Sequence, residues 1–286
     1  MENEGNNVPA INIESVFTAA CKLPYCKIDR NDFLKKQLSG KVSDEQLTDA
    51  LDNGTINAGI PIEILNKIAD GAIKLETSKA TALSTAAGIP GGFAMIGTIP
   101  ADLAQFYAHV FRVAQKLAYV YGYKEINFDD ATHNILMIFL GVMFGVSAAT
   151  SALARLAANN AAKIGARVAA QSLSKYAIYN MSKKILGWIG VKVTKVGVGK
   201  AVTKVVPIVG GVLSGGITVA TFLPMSKKLK KELFKYASMT PEQLEKAVAD
   251  ADIVLDEYDV DPDEYTVDIE DYEVLDEEEL SEEDEN

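Results

Sequence analysis

Three stretches of this chain, Ala80 to Ala101, Asn134 to Ala154 and Val205 to Ser226, contain no Asp, Glu, Lys or Arg, and each runs for 21 or 22 residues. Such a stretch has two physical homes. About 20 apolar residues suffice to cross the hydrocarbon of a bilayer, and a helix that is apolar on all sides is otherwise stable only when buried on all sides in a protein core. Each stretch also holds one G-x-x-x-G, at Gly88 and Gly92, Gly141 and Gly145, and Gly211 and Gly215, where missing side chains let helix backbones approach closely. Pro90 and Pro100 interrupt the first stretch, which is dominated by Ala, Gly and Thr and makes a poor span. Ile135 to Ala154 is the best candidate to insert.

Charge placement weighs the two homes. Residues 1–130, 131–231 and 232–286 carry net charges of −4, +14 and −21, and between Ala131 and Lys231 there is no acid at all. If both later stretches spanned a bilayer, the +10 loop from Arg155 to Lys204 would take the cytoplasmic side, as positive residues prefer. The N-terminal half and the acidic end would then both be exported, although Met1 to Ala10 lacks the basic and apolar regions of a secretory signal. Core helices of a large all-α domain are therefore the expectation. A helical hairpin resting against or dipping into one leaflet is the membrane alternative, and insertion of 134–154 and 205–226 stays open. The location that fits is cytoplasmic and peripheral to the membrane.

Helix signals cover most of the chain from Asp44 to Ala247. Ser43 to Gln46 has the spacing of a capping box, and Thr240, Pro241 and Gln243 form a second helix start. Thr98 and Pro100 open a long helix through Tyr121, and Gly122 is its stop. The stretch Val191 to Val198 is β-branched and glycine-rich, a poor helix former. After Lys246 no basic residue occurs, and 20 of the 37 residues from Asp250 onward are acidic, a composition that resists compaction. The expected organisation is an N-terminal extension over 1–42, a multi-helix domain over 43–249 with long apolar, Gly-containing helices, and a disordered acidic tail over 250–286.

Catalytic and metal signatures are sparse. Cys21 and Cys26 stand in a C-x4-C spacing with no second pair, and His109 and His133 are remote in sequence, so no metal or cofactor site is read. Gly197-Val-Gly-Lys200 fails as a phosphate loop because Thr194 and Ala201 stand where Gly and Ser or Thr are needed. A catalytic constellation would have to come from the first 130 residues. Its candidates are Asp102, alone between Glu76 and Glu125, and His109, seven residues further along one helix face. Asp102 also has a structural explanation, an anion in the first turn of a helix. Lys183, Lys184, Trp188, Lys192, Lys195, Lys200 and Lys204 combine cations with the only Trp, the ingredients of a membrane or anion surface, although they spread around a helical wheel. Nucleic acid is a less favoured polyanion: no helix-turn-helix, RNA-recognition or zinc-finger pattern occurs, and the acidic end opposes phosphate.

Gly88-Ile-Pro90-Gly-Gly92, Gly97, the Asp102 helix start, Tyr121-Gly122-Tyr123, and Pro207 through Gly210 and Gly211 resemble, over roughly residues 60 to 237, the EcsC family of bacterial proteins. The resemblance implies an all-helical protein with no established activity. Its namesake is encoded beside an ABC transporter linked to protein secretion and processing, and no catalytic residues carry over because none are known for the family. The expected function is a non-enzymatic membrane-associated accessory or regulatory protein whose basic half binds anionic lipid or a membrane protein such as an ABC transporter. An enzyme of unrecognised type near Asp102 and a polyanion binder are the alternatives. The acidic tail is expected to pair with the chain's own basic region or with a basic partner.

Overall fold

The computed structural model describes residues 13–88, 99–126, 130–160 and 207–256. Among them every regular element is a helix, as expected of an all-α chain. The order is α1 (Ile13–Lys22), α2 (Arg30–Leu38), α3 (Asp44–Asn53), α4 (Ile62–Gly88), α5 (Ile99–Val120), α6 (Asp130–Phe144), α7 (Ser147–Asn160), α8 (Pro207–Ala237) and α9 (Pro241–Asp256).

Helix α5 is the centre. Every residue from 113 to 123 is buried, and α1, α2, α4, α6 and α8 all pack against it. Helix α8 lies chiefly along α4, and α9 along α7. Local chemistry sets the helix ends. In the capping box at α3, Gln46 N donates to Ser43 Oγ at 3.2 Å and Ser43 N to Gln46 Oε1 at 3.4 Å. Thr240 and Gln243 repeat the exchange at α9, at 2.9 and 3.3 Å. Gly122, at φ 91°, ends α5 with Tyr123 N donating to Ala118 O and Gly122 N to Tyr119 O, the paired bonds of a Schellman stop.

The same device decides the fate of the most apolar stretch. Gly145 sits at φ 89°, with Val146 N bonded to Gly141 O at 2.9 Å and Gly145 N to Val142 O at 3.1 Å. The chain therefore turns between α6 and α7, and Ile135 to Ala154 is a helical hairpin instead of one span. Its second glycine ends a helix rather than admitting a neighbouring one. All residues from 136 to 143 are buried, as are Ala148, Ala149, Ala152, Leu153 and Ala154. Among the described residues no helix is long and apolar enough to cross a membrane.

Two boundaries differ from the charge-based division. Residues assigned to an N-terminal extension join the common core: Val16, Phe17, Ala20, Cys26, Leu34 and Leu38 are buried in it. The Phe17 ring meets Tyr107 at 4.6 Å and Phe111 at 5.7 Å, both edge-on. At the other end α9 continues through Asp256, and Ala251 and Leu255 are buried, so the core extends past residue 249. An acidic composition concealed an amphipathic helix there. The rest of the tail, 257–286, lies outside the described residues.

Gly54 and Gly122 meet where the turn after α3 crosses the end of α5. A Cβ added to Gly54, itself at φ 91°, would lie 2.8 Å from the Gly122 carbonyl oxygen, and Thr55 Oγ1 donates to Val120 O at 2.7 Å beside it. Gly40, at φ 73°, faces open space. Gly54→Ala is therefore expected to lower the unfolding free energy by about 2 to 4 kcal/mol, from backbone strain plus a clash with main chain. Gly40→Ala, which carries the strain alone, should cost about 1 kcal/mol. Denaturant titration of the two variants checks the difference.

Candidate functional site

Helix α5 carries three basic side chains at positions 109, 112 and 116, a spacing that places them on one face. That face turns toward α4, where Glu76 falls inside the apolar stripe of Leu65, Ile68, Ala69, Ala72, Ile73 and Ala80. The Glu76 side chain is 0% exposed, and an isolated buried carboxylate is costly unless it is paired. It is paired three times. Oε2 accepts from His109 Nδ1 at 2.7 Å and from Arg112 Nε at 3.2 Å, and Oε1 accepts from Lys116 Nζ.

Burial raises the proton affinity of Glu76, yet the hydrogen bonds from His109 and Lys116 and the charges of Lys116 and Arg112 overcome it and hold its pKa at about 2. Glu76 is thus ionised, which requires His109 Nδ1 to carry a hydrogen. Burial pushes Lys116 the other way, below its ordinary value, with Arg112 and Lys79 adding to the depression and Glu76 opposing it. The cluster has a surplus of basic groups: one carboxylate faces a guanidinium, a lysine amine and an imidazole.

The loop after α1 covers this cluster. The Tyr25 ring lies 5.8 Å from that of His109 and 6.0 Å from the Arg112 guanidinium carbon. Arg112 Nη1 donates to the Tyr25 carbonyl, and Gln115 fixes the next two turns of chain. Its Nε2 donates to Cys26 O at 3.0 Å, and its Oε1 accepts from Ile28 N at 2.9 Å. The two cysteines are free thiols, Cys21 in the last turn of α1 and Cys26 on this loop. A hydrogen bond from Cys26 lowers the half-exposed Cys21, while that bond and burial push Cys26 up.

Of the candidates read from sequence, His109 is buried in this cluster with Glu76 as its partner. Asp102 lies in the first turn of α5, two turns before His109; its side chain is outside the described residues. Gly88 is the last residue of α4, Pro207 the first of α8, and Gly210 and Gly211 follow within that helix. Tyr121 packs against the core, its hydroxyl donating to Asn66 Oδ1 at 2.7 Å. Pro90, Gly92, Lys183, Lys184, Trp188, Lys192, Lys195, Lys200 and Lys204 lie outside the described residues. Glu76, Arg112 and Lys116 are functional groups that the sequence reading did not single out. Their signal was present: one acid on the buried stripe of α4 and matching bases on the buried stripe of α5.

Chemically the arrangement is a charge clamp. Glu76 is held too acidic to accept a proton at neutral pH, and His109, 4% exposed, is screened by Tyr25. Among the described residues no group of three or more His, Cys, Asp or Glu could hold a metal ion. Comparison of the chain with protein-family models, with curated proteins and with solved structures finds no match.

Removing the carboxylate strands Arg112 and Lys116 in the interior, so Glu76→Gln is expected to cost about 3 to 5 kcal/mol. Lys116→Met, which leaves His109 and Arg112 on Glu76, should cost about 2 kcal/mol. The acid limb carries a sign. The folded pKa of Glu76 lies below the unfolded value of about 4.3, so its contribution is complete above that value and disappears as pH falls toward about 2. Unfolding free energies measured from pH 6 downward should show this loss in the native chain and not in Glu76→Gln. Iodoacetamide should modify Cys21 in the folded protein and reach Cys26 only on unfolding, which peptide mass mapping reads directly.

Proposed function

We propose that the protein is a non-enzymatic accessory or regulatory protein that works at the cytoplasmic face of a membrane, bound peripherally through its basic half. The observation that carries this reading is the segregation of charge, 14 Lys and Arg without one acid between residues 131 and 231. A cationic field of that extent attracts anionic lipid and falls off over roughly 8 to 10 Å at physiological salt. The hairpin α6–α7 and the absence of a spanning helix among the described residues favour peripheral contact over insertion. The resemblance to the EcsC family supports an accessory role near a transporter. The buried, fully paired state of His109 and Glu76 weighs against the enzyme alternative.

The acidic end bears on regulation. Helix α9 is anchored on α7, and Asp252 Oδ1 accepts from Arg155 Nε at 2.6 Å, an ion pair between the acidic block and the basic one. Residues that follow are tethered beside the basic block at high effective concentration, where they compete with an external anionic surface.

Flotation with vesicles tests the reading. The full-length chain should rise with vesicles containing anionic lipid and stay behind with neutral ones; equal recovery in the soluble fraction at low salt would sink the proposal. Truncation after Asp256, which spares Ala251 and Leu255 in the core, should strengthen binding, with the gain shrinking as salt rises.

A further inference from the structure

The lysines from 183 to 204 lie outside the described residues, and the described helices carry a cationic surface of their own. Helices α4 and α8 pack side by side over α5, and Lys230 on one pairs with Asp70 on the other at 2.7 Å. Between Asp70 and residue 83 the exposed residues of α4 are Gly71, Lys74, Leu75, Ser78, Lys79, Ala82 and Leu83, which recur at helical spacing on one face. On α8 the exposed stripe runs through Ala220, Pro224, Lys227, Lys228, Lys231 and Lys235. Past Asp70, which is 64% exposed and paired with Lys230, neither stripe contains a further exposed acid.

Two features separate this surface from an ordinary solvated one. Leu75 is 48% exposed and Leu83 41%, the large apolar residues that α4 leaves to solvent, and Val219 on α8 is 38% exposed. Isolated exposed leucines are common, but here they stand two turns apart with Lys74 and Lys79 beside them. The second feature is the state of the charges. No ion pair among the described residues engages Lys74, Lys79, Lys227, Lys228 or Lys231, whereas Lys27, Lys116, Lys230 and Lys235 each have an acidic partner. Unneutralised lysines flanking exposed leucines suit a lipid interface, where the aliphatic stems lie along the acyl boundary and the ammonium groups meet phosphate.

We infer that the joint face of α4 and α8 is a membrane-docking surface for anionic phospholipid, with Lys74, Lys79, Lys227 and Lys231 on the headgroups and Leu75 and Leu83 at the acyl boundary. The inference rests on the peripheral-membrane reading above and gives it an address. Charge complementarity selects the occupant: the lysines of the face outnumber its exposed acid, Asp70, which Lys230 already pairs, and the face lacks the broad apolar area of a protein interface. Burial in the membrane plane costs the fold nothing, because these side chains are already outside the core.

The test measures partitioning of the full chain onto vesicles of phosphatidylcholine with and without phosphatidylserine. Each lysine near such a surface contributes roughly fivefold to partitioning, so Lys74→Glu, Lys79→Glu and Lys227→Glu together should weaken binding at least a hundredfold and flatten its salt dependence. Leu75→Asn with Leu83→Asn should weaken binding about tenfold while leaving the salt dependence unchanged. All five positions are exposed, and far-UV circular dichroism with a thermal melt confirms an unaltered fold. If the native chain binds and these variants bind equally well, while reversal at Lys183, Lys184, Lys192 and Lys195 abolishes binding, the α4–α8 surface is overturned and the general reading stands. If the native chain does not bind anionic vesicles, both fall.

Discussion

A single carboxylate sets the relation between α4 and the central helix α5. Burying Glu76 at 0% exposure is tolerable only because His109, Arg112 and Lys116 reach it from one face of α5. The requirement works in both directions. Lys116 is itself nearly buried, and without Glu76 it would have to shed its proton or leave the interior. Apolar stripes can slide past one another at modest cost, since hydrophobic contact is not directional. Three bonds to two oxygens cannot. The clamp therefore fixes the register of α4 on α5, and with it everything that packs on that pair: α8 along α4, and α1 with its loop over the cluster.

The N-terminal third is attached by the same logic of satisfying buried polar groups. Arg30 is 7% exposed and spends its guanidinium on carbonyls, with Nε to Tyr123 O at 3.0 Å, Nη1 to Leu51 O at 2.7 Å and Nη2 to Ala50 O at 2.9 Å. Two of these oxygens belong to the last turn of α3, where Ala50 O also accepts from Gly54 N at 3.1 Å. Tyr119 completes the join, its hydroxyl donating to Ile28 O at 3.3 Å and accepting from Ile126 N at 3.1 Å. A segment that by sequence looked detachable is bound to the centre through side chains whose partners are 87 to 93 residues distant.

What could be read from residues alone follows from how local each cause is. Helix ends were legible because caps are decided within four or five residues: Ser43 with Gln46, Thr240 with Gln243, and Gly122 each act as their sequence context dictates. The all-α class was legible because its periodicity extends over whole helices. The Glu76 cluster was not, because nothing near residue 76 announces which helix will face it, and a charged residue on an apolar stripe has a meaning only once the partner stripe is known. The limits of the acidic end were misjudged for a related reason. Charge dominates the composition after residue 246, while Val248, Ala251 and Leu255 recur at helical spacing beneath it and are buried against the rest.

Gly145 shows how a small conformational fact separates two classes of protein that composition leaves together. The run from Ile135 to Ala154 is apolar enough to enter a bilayer as a continuous helix, and a left-handed residue in its middle prevents that continuity. Once the chain has turned, each arm is too short to cross, and the α6–α7 hairpin buries its side chains against α5 and α8. The cost of the turn is small because glycine reaches positive φ without a Cβ penalty. Its neighbour adds a second constraint: the space where a Cβ would stand is taken by Lys228 Nζ. A larger residue at 145 would meet backbone strain and displace that lysine from the end of α6. The apolar stretch from Ile135 to Ala154 is thus spent on the core, while Leu83 and Val219 of the other two stretches are exposed, so membrane contact by the described body falls to its outer faces, where charge and exposed apolar atoms act without the help of a buried span.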